Sequence, residues 1–186
     1  AGGAFDWLNA YSVMAGVALV FGYALMGATW LVMKTDGITQ QWARKCGAYA
    51  LGYVGLFLAI VSISMPVMNP GIRQLWWSLP NLFILLPIPL ASLVTIIMIW
   101  RDLHTGREIR PFLLSIGVFL TAYIGLGISL WPFAVPFAIT FRQAAAVPES
   151  QSLLLVGTVI LLPLVLGYTA YCYYLFRGKA SHETAY

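Results

Sequence analysis

Five apolar runs alternate with short polar links along this chain: Tyr11–Met33, Cys46–Met65, Asn81–Trp100, Pro111–Trp131 and Leu153–Phe176. With its polar entry the last run covers about residues 150–176. At ~1.5 Å of rise per residue, each run is long enough as a helix to cross a hydrocarbon core of about 30 Å. Helix is the expected form, because backbone groups in lipid must be satisfied within their own segment. Membrane strands would need stretches of about ten residues that alternate in polarity, and these runs do not alternate. The pattern predicts an all-α integral membrane protein with five transmembrane helices, forming a single helical domain over 1–186.

The links set a direction. "KTDGITQQWARK" and "RDLHTGREIR" carry three bases each and the tail "RGKASHETAY" two. "PVMNPGIRQLWW" and "PFAVPFAITFRQ" carry one each. Under the positive-inside rule the N-terminus is expected outside and the C-terminus in the cytoplasm. Tryptophan agrees: Trp7, Trp76, Trp77 and Trp131 fall at outer ends, Trp30, Trp42 and Trp100 at inner ones, as in an interfacial belt. The apolar link from Trp131 to Pro148 is expected to lie in the interface or fold over the outer face.

Within the runs, small residues predict where backbones approach. Gly117, Thr121, Gly125 and Ser129 recur every four residues in the fourth run. Ala48, Gly52, Gly55 and Ala59 share a helix face in the second. Such faces suit close helix packing in lipid, and a ligand groove is their other use. Pro87 and Pro89 in the third run and Pro163 in the fifth predict kinks. Broken helices mark some transporter sites, but no charged residue shares the depth of these prolines.

Composition sharpens this picture. The chain is 61% hydrophobic and 9% charged, against about 25% charged in soluble domains. The net charge of +4 is accounted for by the clustered links. No basic face interleaved with aromatics appears, so nucleic acid is not an expected partner. The chain begins at Ala1, and "AGGAFDW" has no basic region before an apolar core. It reads as an internal starting point in a longer protein, not as a signal peptide. Cys46 and Cys172 fall near the cytoplasmic face, where a disulfide is not expected.

Candidate chemistry is sparse. All six acids (Asp6, Asp36, Asp102, Glu108, Glu149 and Glu183), all ten bases, His104 and His182 lie outside the apolar runs. Proton relays and ion-coupled transporters keep ionisable groups within the membrane. Haem ligation would need a His, Met, Cys or Tyr facing a pocket. His104 and His182 read as solvated loop residues, and Met14, Met26 and Met98 as core filler. Pro148 suits a first helical turn, and Glu149 beside it complements the helix dipole. No catalytic residue, metal ligand or cofactor-binding residue is assigned.

Four motifs occur in an order that carries a family signal: "GATWLVMKT" (Gly27–Thr35), "LPIPLASLVTIIMIWR" (Leu86–Arg101), "WPFAVPFAITFRQAAA" (Trp131–Ala146) and "GYTAYCYYLFRGK" (Gly167–Lys179). Together they resemble the C-terminal half of subunit II of cytochrome bd-type terminal quinol oxidases, a family with a cyanide-insensitive branch. The resemblance implies a bacterial inner-membrane enzyme of the aerobic respiratory chain that oxidises quinol and reduces dioxygen to water. It implies subunit I as the partner holding the b-type and d-type haems. Subunit II of that family has nine helices in two bundles, so the missing N-terminal half would be a second partner. Membrane lipid, quinone and, in some members, a structural quinone in subunit II complete the expected partners. The family's acids for proton delivery belong to the N-terminal half, so no site residue is carried over. Relatives often carry an acid near "WDA" before the last helix, where this chain has Arg142 and Gln143. The function expected is support of the haem-bearing subunit's assembly. The alternative is a fragment of a transporter or permease for a neutral solute, and a free-standing membrane scaffold is a third reading.

Overall fold

The computed structural model describes residues 5, 8, 10–135 and 138–180. Its elements are α1 (Ala10–Lys34), α2 (Gly37–Met68), α3 (Pro70–Trp77), α4 (Asn81–Leu85), α5 (Pro87–His104), α6 (Arg110–Leu130), β1 (Phe133–Val135), β2 (Ile139–Thr140), α7 (Phe141–Ala144) and α8 (Pro148–Leu175). Five helical stretches are long and apolar enough to cross a membrane: Ser12–Lys34, Gly37–Met68, Asn81–His104, Arg110–Leu130 and Pro148–Leu175. The chain is an all-α integral membrane protein, with a small hairpin between its last two spans.

Helices outrun the apolar segments, because lipid demands apolarity whereas helix formation demands only caps and propensity. The second helix starts at Gly37 rather than Cys46 and ends at Met68 rather than Met65. The link before it shrinks to a tight turn through Thr35 and Asp36, with Gly37 at φ +65° in the left-handed region that glycine tolerates. The third run keeps helical backbone through Leu86 (φ −52°, ψ −35°), with Leu86 N–H bonded to the Leu82 carbonyl and Leu90 N–H to that of Leu86. Pro87 and Pro89 interrupt the hydrogen-bond ladder between α4 and α5, as the expected proline kink does. Pro163, by contrast, lies inside an uninterrupted α8.

The chain divides into two compact units, one reaching to Ser129 and including Ala180, the other Leu130–Lys179.

The first unit is built on the α1–α2 hairpin, with α5 against α2. Leu25, Val32, Ala43, Ala50, Leu51, Val54, Ile99, Leu103 and Val118 form its core. Phe21 stacks on Tyr53, and Trp30 meets Phe112 edge-on at 5.0 Å between centroids. Thr29 and Ser115, both fully buried, lie 3.2 Å apart across α1 and α6 and share a hydrogen bond. Each hydroxyl also lies within reach of a carbonyl of its own helix, Leu25 for Thr29 and Phe112 for Ser115, so the pair's two protons are divided among three contacts. No polar atom of the pair is left bare in the core.

The small-residue face of α6 packs as its spacing predicts. The Thr121 and Ser129 hydroxyls donate to the carbonyls of Gly117 and Gly125, four residues back. They accept from Ser92 at 2.6 Å and from the Trp76 indole at 2.9 Å. A Cβ on Gly117 would sit 3.6 Å from Thr95, and one on Gly125 3.7 Å from Ile88. The face of α2 behaves differently. Its tight contacts come from Ala43, Gly47, Ala50, Leu51 and Val54, while Gly52 and Ala59 stay exposed. Gly47 is the close approach, 3.5 Å from both Ala28 and Leu103 at its absent Cβ.

In the second unit β1 and β2 pair antiparallel, Phe133 opposite Thr140. Thr140 then caps α7. Gln143 N–H donates to Thr140 Oγ1 at 3.4 Å, and Thr140 N–H donates to Gln143 Oε1 at 2.9 Å, a reciprocal capping box. Gln143 thus has a local role at the start of α7. α8 begins as its sequence suggests, with Pro148 in the first turn and Glu149 beside it. No residue of α8 is buried.

Gly22 gives the sharpest packing test. A Cβ there would lie 2.8 Å from Cζ of Phe119 on α6. Gly22→Ala should destabilise the detergent-solubilised chain by about 1–3 kcal/mol, read by unfolding in a denaturing detergent, and adding Phe119→Leu should recover most of that loss. A Gly22→Ala chain of unchanged stability would show that α1 and α6 do not approach this closely.

Candidate functional site

Charged side chains gather at one end of the first unit, the end holding the α1–α2 and α5–α6 turns. The expectation that all acids, bases and histidines lie outside the spans does not hold for the helices as they form: Lys34, Arg44, Lys45, Arg101, Asp102, His104, Arg110 and Glu149 lie within spanning helices, near their ends, and of these Asp102 is buried. It stands in the last turn of α5 with 2% exposure. Helix α5 continues past Trp100 through Arg101, Asp102 and His104, residues read from the sequence as a loop. Asp102 Oδ2 lies 3.1 Å from Arg110 Nε and Oδ1 3.6 Å from Arg107 Nε. The Arg110 N–H is not aimed well enough at Oδ2 to make a hydrogen bond; the contact is an ion pair held by charge. Both arginines are about half exposed, so solvent shares in neutralising them.

Arg44 completes the junction from α2. Its guanidinium donates to the carbonyls of Leu103 (3.2 Å), Gly106 (2.9 Å) and Arg107 (3.0 Å). A helix leaves its last carbonyls without partners, and a cation there is favoured by the dipole. Arg44 meets both needs for α5 while holding the turn that leads to α6. Gln40, one turn earlier on α2, places its Nε2 2.9–3.0 Å from the carbonyls of Val32 and Thr35 and from Glu108 Oε1, three acceptors that share its two hydrogens. Two α2 side chains thereby bind both turns, and they can do so because Gly37–Lys45 is helical. Gly106, at φ +83°, supplies the bend that presents its carbonyl.

The remaining candidates scatter. His104 is in the last helical turn of α5, not in a loop. Its Nδ1 donates to the Trp100 carbonyl at 2.7 Å, and its ring lies 4.7 Å from that indole. Met14, Met26 and Met98 are half-buried, and Cys46 and Cys172 are free thiols. His182, Asp6 and Glu183 lie outside the described residues. Among the described residues no three His, Cys, Asp or Glu come together as metal ligands. An exposed histidine engaged by a neighbouring carbonyl does not fit a haem iron, so no redox step is derived for this chain. The junction locks two turns at one membrane edge.

The junction is not symmetric in energy. Removing Arg110 leaves Asp102 buried with only the longer Arg107 contact, whereas removing the charge of Asp102 leaves arginines that water can solvate. Arg110→Ala should therefore cost more than Asp102→Asn, toward the ~3–5 kcal/mol seen when a buried pair loses one partner. Arg44→Ala should cost about 1.5–3 kcal/mol. Unfolding midpoints of the three variants in detergent check the order. Asp102→Asn as the costliest of them would contradict it.

Comparison with known proteins agrees with the sequence motifs. Residues 1–176 match the family model for cytochrome bd terminal oxidase subunit II. Among curated relatives, cytochrome bd ubiquinol oxidase subunit 2 of Bacillus subtilis (strain 168) is 25% identical over 186 residues, covering 96% of this chain and 53% of that protein. Cytochrome bd-I ubiquinol oxidase subunit 2 of Escherichia coli (strain K12) is 26% identical over 220 residues, covering 98% of this chain and 56% of that protein. The chain spans about half the length of the curated relatives it matches. With a family match over nearly its whole length and five membrane helices, the chain belongs to the cytochrome bd terminal oxidase subunit II family of bacterial inner-membrane proteins.

Proposed function

We propose that this chain is the C-terminal half of subunit II in a cytochrome bd-type quinol:oxygen oxidoreductase, and that it supports assembly of the haem-bearing subunit I. The observation that carries the reading is the family match over residues 1–176 on a bundle whose ionisable groups gather at the helix ends. Such a bundle offers a partner rigid helices and closely packed small residues rather than a reaction centre. Its orientation follows from the bases: the end holding Lys34, Arg44, Arg107 and Arg110 faces the cytoplasm, so the N-terminus lies outside. In this reading the b-type and d-type haems belong to subunit I, quinol is oxidised there, and the N-terminal half of subunit II completes the heterodimer.

A tag on this chain tests the assignment. The complex captured in mild detergent should give a reduced-minus-oxidised visible spectrum with bands of both b-type and d-type haem. A folded, captured chain whose complex has no haem absorbance overturns the proposal.

A further inference from the structure

The polar junction is occupied by its own hydrogen bonds and ion pairs, Asp102 being held by charge alone, and the small-residue face of α6 is filled. One feature of the first unit is neither. Between α2 and α5 runs a groove of about 410 Å³, lined by Ala48, Gly52 and Gly55 on one wall and Ile96, Ile97 and Trp100 on the other. Its volume is within the ~300–1,000 Å³ of ligand sites. It is apolar and open, because Gly52 has no atom within 4 Å of where a Cβ would stand and Gly55 only one, at 3.9 Å. The close packing of α2 on α5 occurs elsewhere, at Gly47 against Leu103.

Helical spacing continues both walls toward the basic end. On α2 the line Gly55, Gly52, Ala48 leads next to Lys45; on α5 the line from Ile97 leads to Arg101, four residues on. Lys45 and Arg101 are exposed, and among the described residues neither side chain has a hydrogen bond or ion pair. The neighbouring cations differ: Arg44, Arg107 and Arg110 are engaged in the junction. Trp100, with His104 against it, stands where the groove meets the charged end.

We propose that this groove binds an anionic phospholipid, its phosphate between Lys45 and Arg101 and one acyl chain along Gly52 and Gly55. Charge complementarity selects this occupant. A membrane-embedded apolar groove with unpaired cations at its mouth matches a molecule with an apolar tail and an anionic head, and basic pockets between membrane helices bind such headgroups. A neutral lipid would leave the cations unanswered. A helix from a partner would have to bring its own acid. The inference does not rest on the oxidase assignment.

The test uses the captured membrane complex in neutral detergent, titrated with phosphatidylglycerol or with phosphatidylcholine of the same acyl chains, bound lipid being read by native mass spectrometry. Phosphatidylglycerol should bind more tightly. Replacing Lys45→Gln and Arg101→Gln together should weaken it by about 25-fold, from roughly five-fold per charge, and leave phosphatidylcholine unchanged. Gly52→Leu should fill the groove and reduce binding of both lipids. A photo-crosslinking side chain at position 52 in intact membranes should give a phospholipid adduct. Equal binding of the two lipids, insensitive to the charge substitutions, overturns the proposal. So does a crosslink from position 52 to a protein chain or to quinone.

Discussion

The hydrocarbon core offers no partner to a polar atom, and the first unit is organised by that constraint. Four hydroxyls within it behave alike. Thr29, Ser115, Thr121 and Ser129 each reach a carbonyl of their own helix while meeting a hydroxyl or indole on another. Every such residue serves two helices at once. Without the hydrophobic effect to press helices together in lipid, these paired hydrogen bonds and the contacts over glycine give the bundle its specific packing.

The same constraint sends charge to the helix ends and makes those ends rigid. Asp102 is tolerated in a buried place because it lies in the last turn of α5, where Arg107 and Arg110 can reach it from the following turn. Arg44 uses the carbonyls that any helix terminus leaves bare. The bases that fix orientation in the membrane thus also hold the turns. For a family member whose proposed task is to stand beside a haem-bearing partner, a fixed relation between helices matters more than reactive groups.

Much of this was legible in the chain. The five spans and the stripe Gly117–Ser129 follow from apolar runs and four-residue spacing, and the entry of α8 follows from Pro148 with Glu149. The polar junction was not legible, because hydropathy reports where lipid is and not where helix ends. Gly37–Lys45 and Arg101–His104 are too polar to read as span, yet they are helical, and that helicity brings Arg44 to the carbonyl of Leu103. An acid followed by arginines five and eight residues on, as in Asp102, Arg107 and Arg110, was the available signal. The face of α2 was misread for a different reason. Small residues mark either a contact or an opening, and Gly47 made the contact while Gly52 made the opening.

The most direct measurement of the central claim, that polar ends alternate across a membrane, is sided labelling of two exposed positions. In a chain with Cys46→Ser and Cys172→Ser, Thr105→Cys probes the α5–α6 turn and Gln74→Cys probes α3. A membrane-impermeant maleimide should label position 74 in intact cells and position 105 only from the cytoplasmic side, after permeabilisation. Labelling of both from one side would contradict a crossing between them, and with it the alternation of polar ends across the bilayer.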